Sequence, residues 1–185
     1  MKIEKTFITG LMLITPDIHA DERGFFFESY NSNRYSNNGL DVVFVQDNIS
    51  KSRYGTLRGL HYQVGEYAQG KLCSVISGKV LDVAVDIRHS SPTFGKYFSI
   101  ELDDVKKKQL YIPPGFAHGF SVLSEEALFS YKCTSVYNKE NERSIIFNDP
   151  VLKIDWRIVN PIVSPKDLQA KKFSDIDRDF IYNFE

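Results

Sequence analysis

Four apolar residues at alternate positions, Leu81, Val83, Val85 and Ile87, are separated by Asp82, Ala84 and Asp86. A helix turns by about 100° per residue and would scatter these four around its circumference, whereas a strand, with period two, lays them all on one face. Similar short apolar or alternating runs occupy residues 24–30, 42–46, 71–76, 97–102, 109–112, 119–123, 128–136 and 144–147, set apart by Gly, Pro, Asn, Asp and Ser. Many short strands with regular turn residues predict an all-β sandwich or barrel. Ser77-Gly78, between two such runs, predicts a tight hairpin turn. The 14 Phe and 10 Tyr point the same way, because flat rings suit a pleated, half-buried surface.

Helices are predicted to be few and short. Residues 31–38, followed by Gly39, read as one brief helix with a glycine stop. Ser164-Pro165 reads as an N-cap followed by proline in the first turn of another. Residues 173–185 mix charge with aromatics without a clear period and are read as irregular.

A chain of 185 residues can bury a sizeable core, and no repeat or linker divides it, so one domain spanning 1–185 is expected. With 23 basic and 24 acidic residues, no global field draws it to nucleic acid or to an anionic membrane. An anionic ligand must therefore be held by a local group of Arg and Lys. Residues 1–16 contain an apolar stretch, but Thr9 and Gly10 interrupt it and Pro16-Asp17 ends it. That is too broken for a signal-peptide core and too short to span a bilayer, so a cytoplasmic location is expected. Cys73 and Cys133 lack CxxC spacing and sit among apolar residues, which predicts reduced core thiols rather than a disulfide.

Three polar clusters stand where a plain strand pattern would not put them. They are Gln46-Asp47-Asn48 with Ser50, Arg58-Gly59-Leu60-His61-Tyr62-Gln63 followed by Gln69-Gly70-Lys71, and Pro113-Pro114-Gly115-Phe116-Ala117-His118. The third fits the PxGxxH element of cupin jelly rolls. Metal-binding cupins pair an HxH element with a downstream Glu and a second-motif His. Here the first element is His61-Tyr62-Gln63, the nearest acid is Glu66, and Lys71 brings a positive charge to the same region. That donor set is poor for a cation, so neither a catalytic metal nor an organic cofactor is expected.

Taken in order, these clusters and the stretches 21–28, 82–86, 91–95, 131–132 and 164–167 resemble the dTDP-4-dehydrorhamnose 3,5-epimerases along nearly the whole chain. The resemblance implies a cupin-type jelly-roll β-sandwich with a few short helices. It also implies inversion of C3 and C5 of a dTDP-linked 4-keto-6-deoxy sugar. His61 would be the general base, with Asp167 fixing its tautomer, since an imidazole titrates near neutrality. Lys71 would face the developing enolate oxygen, and Tyr131 would return a proton from the opposite face. Arg23, Glu28, Gln46, Asp47, Asn48, Arg58, His118, Tyr137, Glu142 and Lys166 match substrate-binding positions. A homodimer is implied in which an N-terminal strand carrying Arg23 completes the partner's site. His19 departs from the pattern, standing where the family often has an aromatic residue near the sugar. A mono-epimerase, or an epimerase for a sugar on another nucleotide, is the alternative reading.

Overall fold

The computed structural model describes residues 1–183; Phe184 and Glu185, the end of the segment read as irregular, lie outside the described residues. The strands are β1 (Lys2–Lys5), β2 (Met12–Thr15), β3 (His19–Asp21), β4 (Gly24–Phe26), β5 (Gln46–Arg53), β6 (Leu57–Gln63) and β7 (Lys71–Ser77). They continue with β8 (Lys79–Asp86), β9 (Tyr97–Asp103), β10 (Gln109–Ile112), β11 (Phe116–Val122), β12 (Glu126–Cys133) and β13 (Glu142–Ser144). One antiparallel sheet has the order β1-β2-β10-β7-β12-β5, and the second has β13-β6-β11-β8-β9. A separate hairpin joins β3 to β4. This is the two-sheet, all-β jelly roll of cupin type that the sequence predicts. No helix among the described residues is long and apolar enough to cross a membrane.

Strand β8 shows why the alternating run mattered. It is buried on both faces beyond Lys79. Val80 and Ala84 face the core between the sheets, with Cys73, Val75, Leu110, Phe120 and Phe129. Leu81, Val83 and Val85 face a second core, which the C-terminal chain covers with Leu152, Trp156 and Phe173. A third cluster packs Tyr35 and Leu40 over Leu72 and Tyr111 on the far side of the six-stranded sheet. Burial of each such side chain is worth roughly 1.5–3 kcal/mol.

The two helices follow their caps. In α1 (Ser32–Asn37) the Asn31 side chain accepts from the Arg34 amide at 3.1 Å. In α2 (Pro165–Leu168) the Ser164 hydroxyl accepts from the Asp167 amide at 3.1 Å.

Some sequence expectations are corrected. Ser77-Gly78 does not close a hairpin: β7 pairs with β10 and β12, β8 with β9 and β11, so the chain crosses from one sheet to the other there. Gly78 has φ +84°, and a Cβ on it would lie 2.2 Å from the Glu126 carbonyl oxygen. The run at 42–46 is strand only from Gln46, and that strand continues to Arg53 on residues that are polar except for Ile49. Strands β1 and β2 carry no clean alternation and were not expected. The run at 24–30 is strand only over Gly24–Phe26.

One irregularity positions the polar residues. Arg58 and His61 are three apart and in an unbroken strand would point to opposite faces. Arg58 pairs with Phe120 and His61 with His118, so β6 spends one residue more than β11. This bulge turns both side chains into the same cleft. It depends on Gly59, whose φ is +134° and whose missing Cβ would sit 2.5 Å from the Gly119 Cα. Gly59→Ala should therefore cost about 1–3 kcal/mol. It should also remove most activity, in contrast to an Ala substitution on the exposed surface. A thermal melt read beside a rate assay checks both; unchanged stability would show that the backbone here tolerates a side chain.

Candidate active site

A cleft of about 500 Å³ opens between the two sheets. Arg58, His61, His118 and Phe120 line it from the five-stranded sheet, and Asn48, Ser50, Lys71 and Tyr131 from the six-stranded sheet. Residues of the C-terminal chain, Ile162, Val163, Ser164, Lys166 and Asp167, close one wall. Eight of the sequence-predicted site residues thus converge from distant parts of the chain.

His61 Nε2 lies 2.6 Å from Asp167 Oδ1. Nδ1 is left without a hydrogen-bond partner among the described residues. Asp167 is nearly buried while the His61 side chain keeps 29% of its exposure to the cleft. Burial by itself would raise the Asp167 carboxyl. The hydrogen bond and charge of His61, the Gly59 amide and the Ser164 hydroxyl outweigh it and hold the group below the ordinary aspartate range. The short helix α2 therefore fixes the carboxylate, which fixes the orientation of the imidazole.

Across the cleft, burial pushes the Tyr131 phenol up to about 12, with the Cys133 and Cys73 thiols adding and Arg58 opposing. Tyr131 thus holds its proton at neutral pH. The Lys71 ammonium lies 5.7 Å from the centroid of its ring. His118 Nε2 lies 2.7 Å from Asp82 Oδ1. Burial lowers the His118 pKa despite that carboxylate, and Lys71 and His61 push the same way. The arrangement places an oriented imidazole on one sheet opposite a protonated phenol and a fixed cation on the other.

At the rim, Lys166 Nζ and the Tyr137 hydroxyl both donate to Glu142 Oε2, the latter at 2.9 Å. The Tyr137 amide donates to Gln46 Oε1 at 2.8 Å, and Gln46 Nε2 donates to Asn48 Oδ1 at 3.1 Å. These contacts tie Gln46, Asn48, Tyr137, Glu142 and Lys166 into one polar chain beside the cleft. Gln63, at the position of the second cupin histidine, instead pins the loop after β12. Its Oε1 accepts from the Asn138 amide at 2.8 Å, and its Nε2 donates to the Val136 carbonyl at 3.5 Å.

Four residues singled out in the sequence lie away from this cleft. Asp47 points to the other face of β5, where Lys132 Nζ donates to it at 2.9 Å, because alternate residues of a strand oppose each other. Glu28 pairs with Arg34 at 3.6 Å. Arg23 and His19 sit on the β3–β4 hairpin, where the Arg23 side chain is 90% exposed and paired with Asp21. Conversely, the sequence reading passed over Ser52, whose hydroxyl accepts from Arg58 Nε at 3.1 Å, and named Ser50 without a role, although its buried hydroxyl has no partner among the described residues and faces the cleft. The polar alternation Gln46, Asn48, Ser50, Ser52 is the signal that would have found them.

Comparison with known proteins gives a consistent picture. The family profile for dTDP-4-dehydrorhamnose 3,5-epimerase matches residues 5–175. A dTDP-4-dehydrorhamnose 3,5-epimerase of Shigella flexneri is 51% identical over 178 residues, covering 96% of this chain and 98% of that protein. A Legionella pneumophila dTDP-6-deoxy-D-glucose-3,5-epimerase, solved with dTDP-4-keto-L-rhamnose, is 50% identical, with TM-score 0.94 and 99% of each chain covered. ChmJ, a 3'-monoepimerase from Streptomyces bikiniensis solved with dTDP-quinovose, is 32% identical, with TM-score 0.85 over 91% of this chain and 86% of its own.

The depressed Asp167 carboxyl carries a stability consequence with a definite sign. Its folded pKa is below the unfolded value, so its contribution is complete above the unfolded pKa, about 3.9, and is lost as pH falls through the folded pKa. Melting temperature followed downward from pH 5 should therefore fall more steeply for wild type than for Asp167→Asn. Parallel acid profiles would show that Asp167 is not the linked group.

Proposed function

The chain belongs to the dTDP-4-dehydrorhamnose 3,5-epimerase family, and on that premise we propose that it inverts C3 and C5 of dTDP-4-dehydro-6-deoxy-D-glucose, giving dTDP-4-dehydro-L-rhamnose. The observation that carries this reading is the pairing of the Asp167-held His61 on one sheet with the protonated Tyr131 on the other. Inversion beside a ketone needs a base on one face of the carbon and an acid on the opposite face. The His61 imidazole takes the proton alpha to the C4 ketone. The electron pair moves onto the ketone oxygen, whose charge the Lys71 ammonium stabilises more in the enolate than in the ketone. Tyr131 then delivers its proton to the other face, and solvent reprotonates it as His61 releases the abstracted proton. The same set acts again at the second carbon.

Arg58 and Lys166 suit the diphosphate, Arg58 being braced by Ser52. Gln46, Asn48 and His118 offer amide and ring nitrogens to the sugar, Glu142 orients Lys166, and Tyr137, half exposed at the rim, offers a stacking face for the base. Inversion of both carbons is favoured over one, since the likeness to a double epimerase is 50% against 32% for the monoepimerase. The reading includes one domain over residues 1–185 and a cytoplasmic setting without nucleic-acid or membrane partners. Two free, buried thiols suit a reducing compartment.

A homodimer completes the proposal. Phe25 and Phe26 are large rings left exposed on the hairpin beside Arg23, and β5 is a sheet edge next to exposed Val43 and Val45. Such edges and rings need cover. The hairpin would carry Arg23, with Glu28 and Asp47 nearby at the contact, toward the partner's cleft.

In D2O, wild type should place deuterium at both C3 and C5, resolved by NMR, and His61→Asn should slow exchange by about 10²–10⁴. Tyr131→Phe should exchange faster than it inverts, because base and cation remain while the opposite-face donor is gone. Label at one carbon in wild type would change the reading to a mono-epimerase, and strictly parallel losses would remove Tyr131 from the acid role.

Subunit mixing tests the shared site. Hybrids of His61→Asn with Arg23→Ala subunits contain one site with both residues native if Arg23 acts across the interface. Activity should therefore reappear on mixing two nearly inactive proteins; no recovery in proven hybrids would place Arg23 with its own chain's cleft or outside the site.

A further inference from the structure

Behind the cleft lies a group that the reaction does not use as a unit. His118 lines the cleft, but Cys73 and Asp82 do not, and all three are buried. One ligand atom from each, a thiol sulfur, a carboxylate oxygen and an imidazole nitrogen, lies within 4.8 Å of the others. Cys73 Sγ is 3.7 Å from His118 Nε2, which is 2.7 Å from Asp82 Oδ1. A single ring nitrogen cannot donate to Asp82 and accept from Cys73 at once. The second oxygen of the Asp82 carboxylate is buried without a hydrogen-bond partner among the described residues. The cluster thus has more acceptors than donors in a place where an unmet acceptor is costly.

We propose that Cys73, Asp82 and His118 form a site for one thiophilic divalent cation, Zn²⁺ or Cd²⁺, whose binding inhibits the enzyme. A tetrahedral zinc ion with bonds of about 2.0–2.3 Å holds its ligand atoms roughly 3.3–3.8 Å apart. The sulfur–nitrogen spacing already meets that, and the nitrogen–oxygen pair must open by roughly half an ångström. Sulfur and imidazole ligands select against Mg²⁺ and Ca²⁺, which take oxygen shells. On binding, Cys73 releases its proton to solvent, and thiolate and carboxylate together cancel the charge of the ion. His118 gives up its bond to Asp82, its Nε2 proton passing through solvent to Nδ1, and the freed Nε2 lone pair binds the ion, with the remaining coordination position left to water. The Lys71 ammonium opposes any cation here, so only an ion that gains a sulfur bond is retained. An ion in this place ties up a proposed substrate contact and adds positive charge behind the sugar. It is distinct from a catalytic metal, and the chemistry above does not need it.

The binding claim is independent of the epimerase reading, whereas inhibition rests on it, and the two are read separately. Protein stripped with EDTA and exchanged into chelator-free buffer should bind one equivalent of Zn²⁺ by calorimetry. Titrated with Cd²⁺, it should develop the ultraviolet thiolate-to-cadmium band. Cys73→Val, and Cys73→Ala if valine fails to fold, should lose that band and weaken binding by at least the roughly 10–100-fold that removal of even a supporting residue costs. Cys133→Val should retain both. In the rate assay, Zn²⁺ should inhibit wild type and Cys133→Val but spare Cys73→Val, whose activity without metal stays near wild type. Absence of the cadmium band in wild type, equal binding by Cys73→Val, or its loss in Cys133→Val instead would overturn the site. Binding as described without inhibition would leave the site standing and overturn its effect on the reaction.

Discussion

The functional geometry hangs on one close backbone approach, where Gly59 of β6 meets Gly119 of β11. A Cβ on Gly59 would lie 2.5 Å from the Gly119 Cα, and one on Gly119 would lie 2.8 Å from the Arg58 carbonyl oxygen. Neither glycine can carry a side chain without moving the sheet. Because the strands come this close, β6 can hold its extra residue within an otherwise regular ladder, and the bulge puts Arg58 and His61 on one face. Trp156 presses on the same spot from outside, its ring edge 3.1 Å from the Cβ that Gly119 lacks. The outer core thus holds the bulge in place while the inner face carries the chemistry.

Around that point, proton positions are set by opposing pulls. Burial would protonate Asp167, but donors around it keep it ionised. Burial also keeps Tyr131 protonated, and there the neighbouring thiols add to the effect. For His118, burial prevails over Asp82 and leaves the ring neutral. The same low-dielectric interior thus yields a carboxylate, a phenol and a neutral imidazole within one cleft. The difference lies in how many N–H and O–H groups each can reach.

Much of this was legible in the sequence. Period-two patterns found the central strands, and Gly39 and Ser164 announced both helices, because helix end signals and side-chain alternation are local properties. His61, Lys71, Tyr131 and Asp167 were singled out through ordered motifs, and they meet because β6 of one sheet faces the adjoining β7 and β12 of the other while α2 closes one wall. What stayed hidden depends on partners distant in sequence. Ser77-Gly78 has the chemistry of a hairpin turn, yet β7 and β8 part into different sheets because β7 is taken up by β10 and β12. Strand β5 is polar on its inward face, so its apolar flank at 42–45 drew the prediction away from it. Asp47, adjacent to Gln46 and Asn48 in a matching motif, lands on the opposite face simply because strands alternate.

The β3–β4 hairpin is the element that the proposed homodimer would account for. Among the described residues its strands pair only with each other, over three residue pairs, and such a ribbon has little stability of its own. Even so, it presents Phe25 and Phe26 to solvent beside an arginine held by Asp21. Lys107 lies under it, 4.8 Å from the Phe25 ring, a contact that holds the base of the hairpin but leaves its tip uncovered. An isolated protein gains nothing from two uncovered rings on a weak ribbon. In the proposed reading the cleft meets a diphosphate with Arg58 and Lys166, and Lys166 is already engaged by Glu142. A further arginine would balance that charge, and the hairpin carries one that its own cleft does not receive. Exposed rings without a core and an arginine outside its own cleft would be accounted for together by the proposed docking of one subunit's hairpin at the cleft of another.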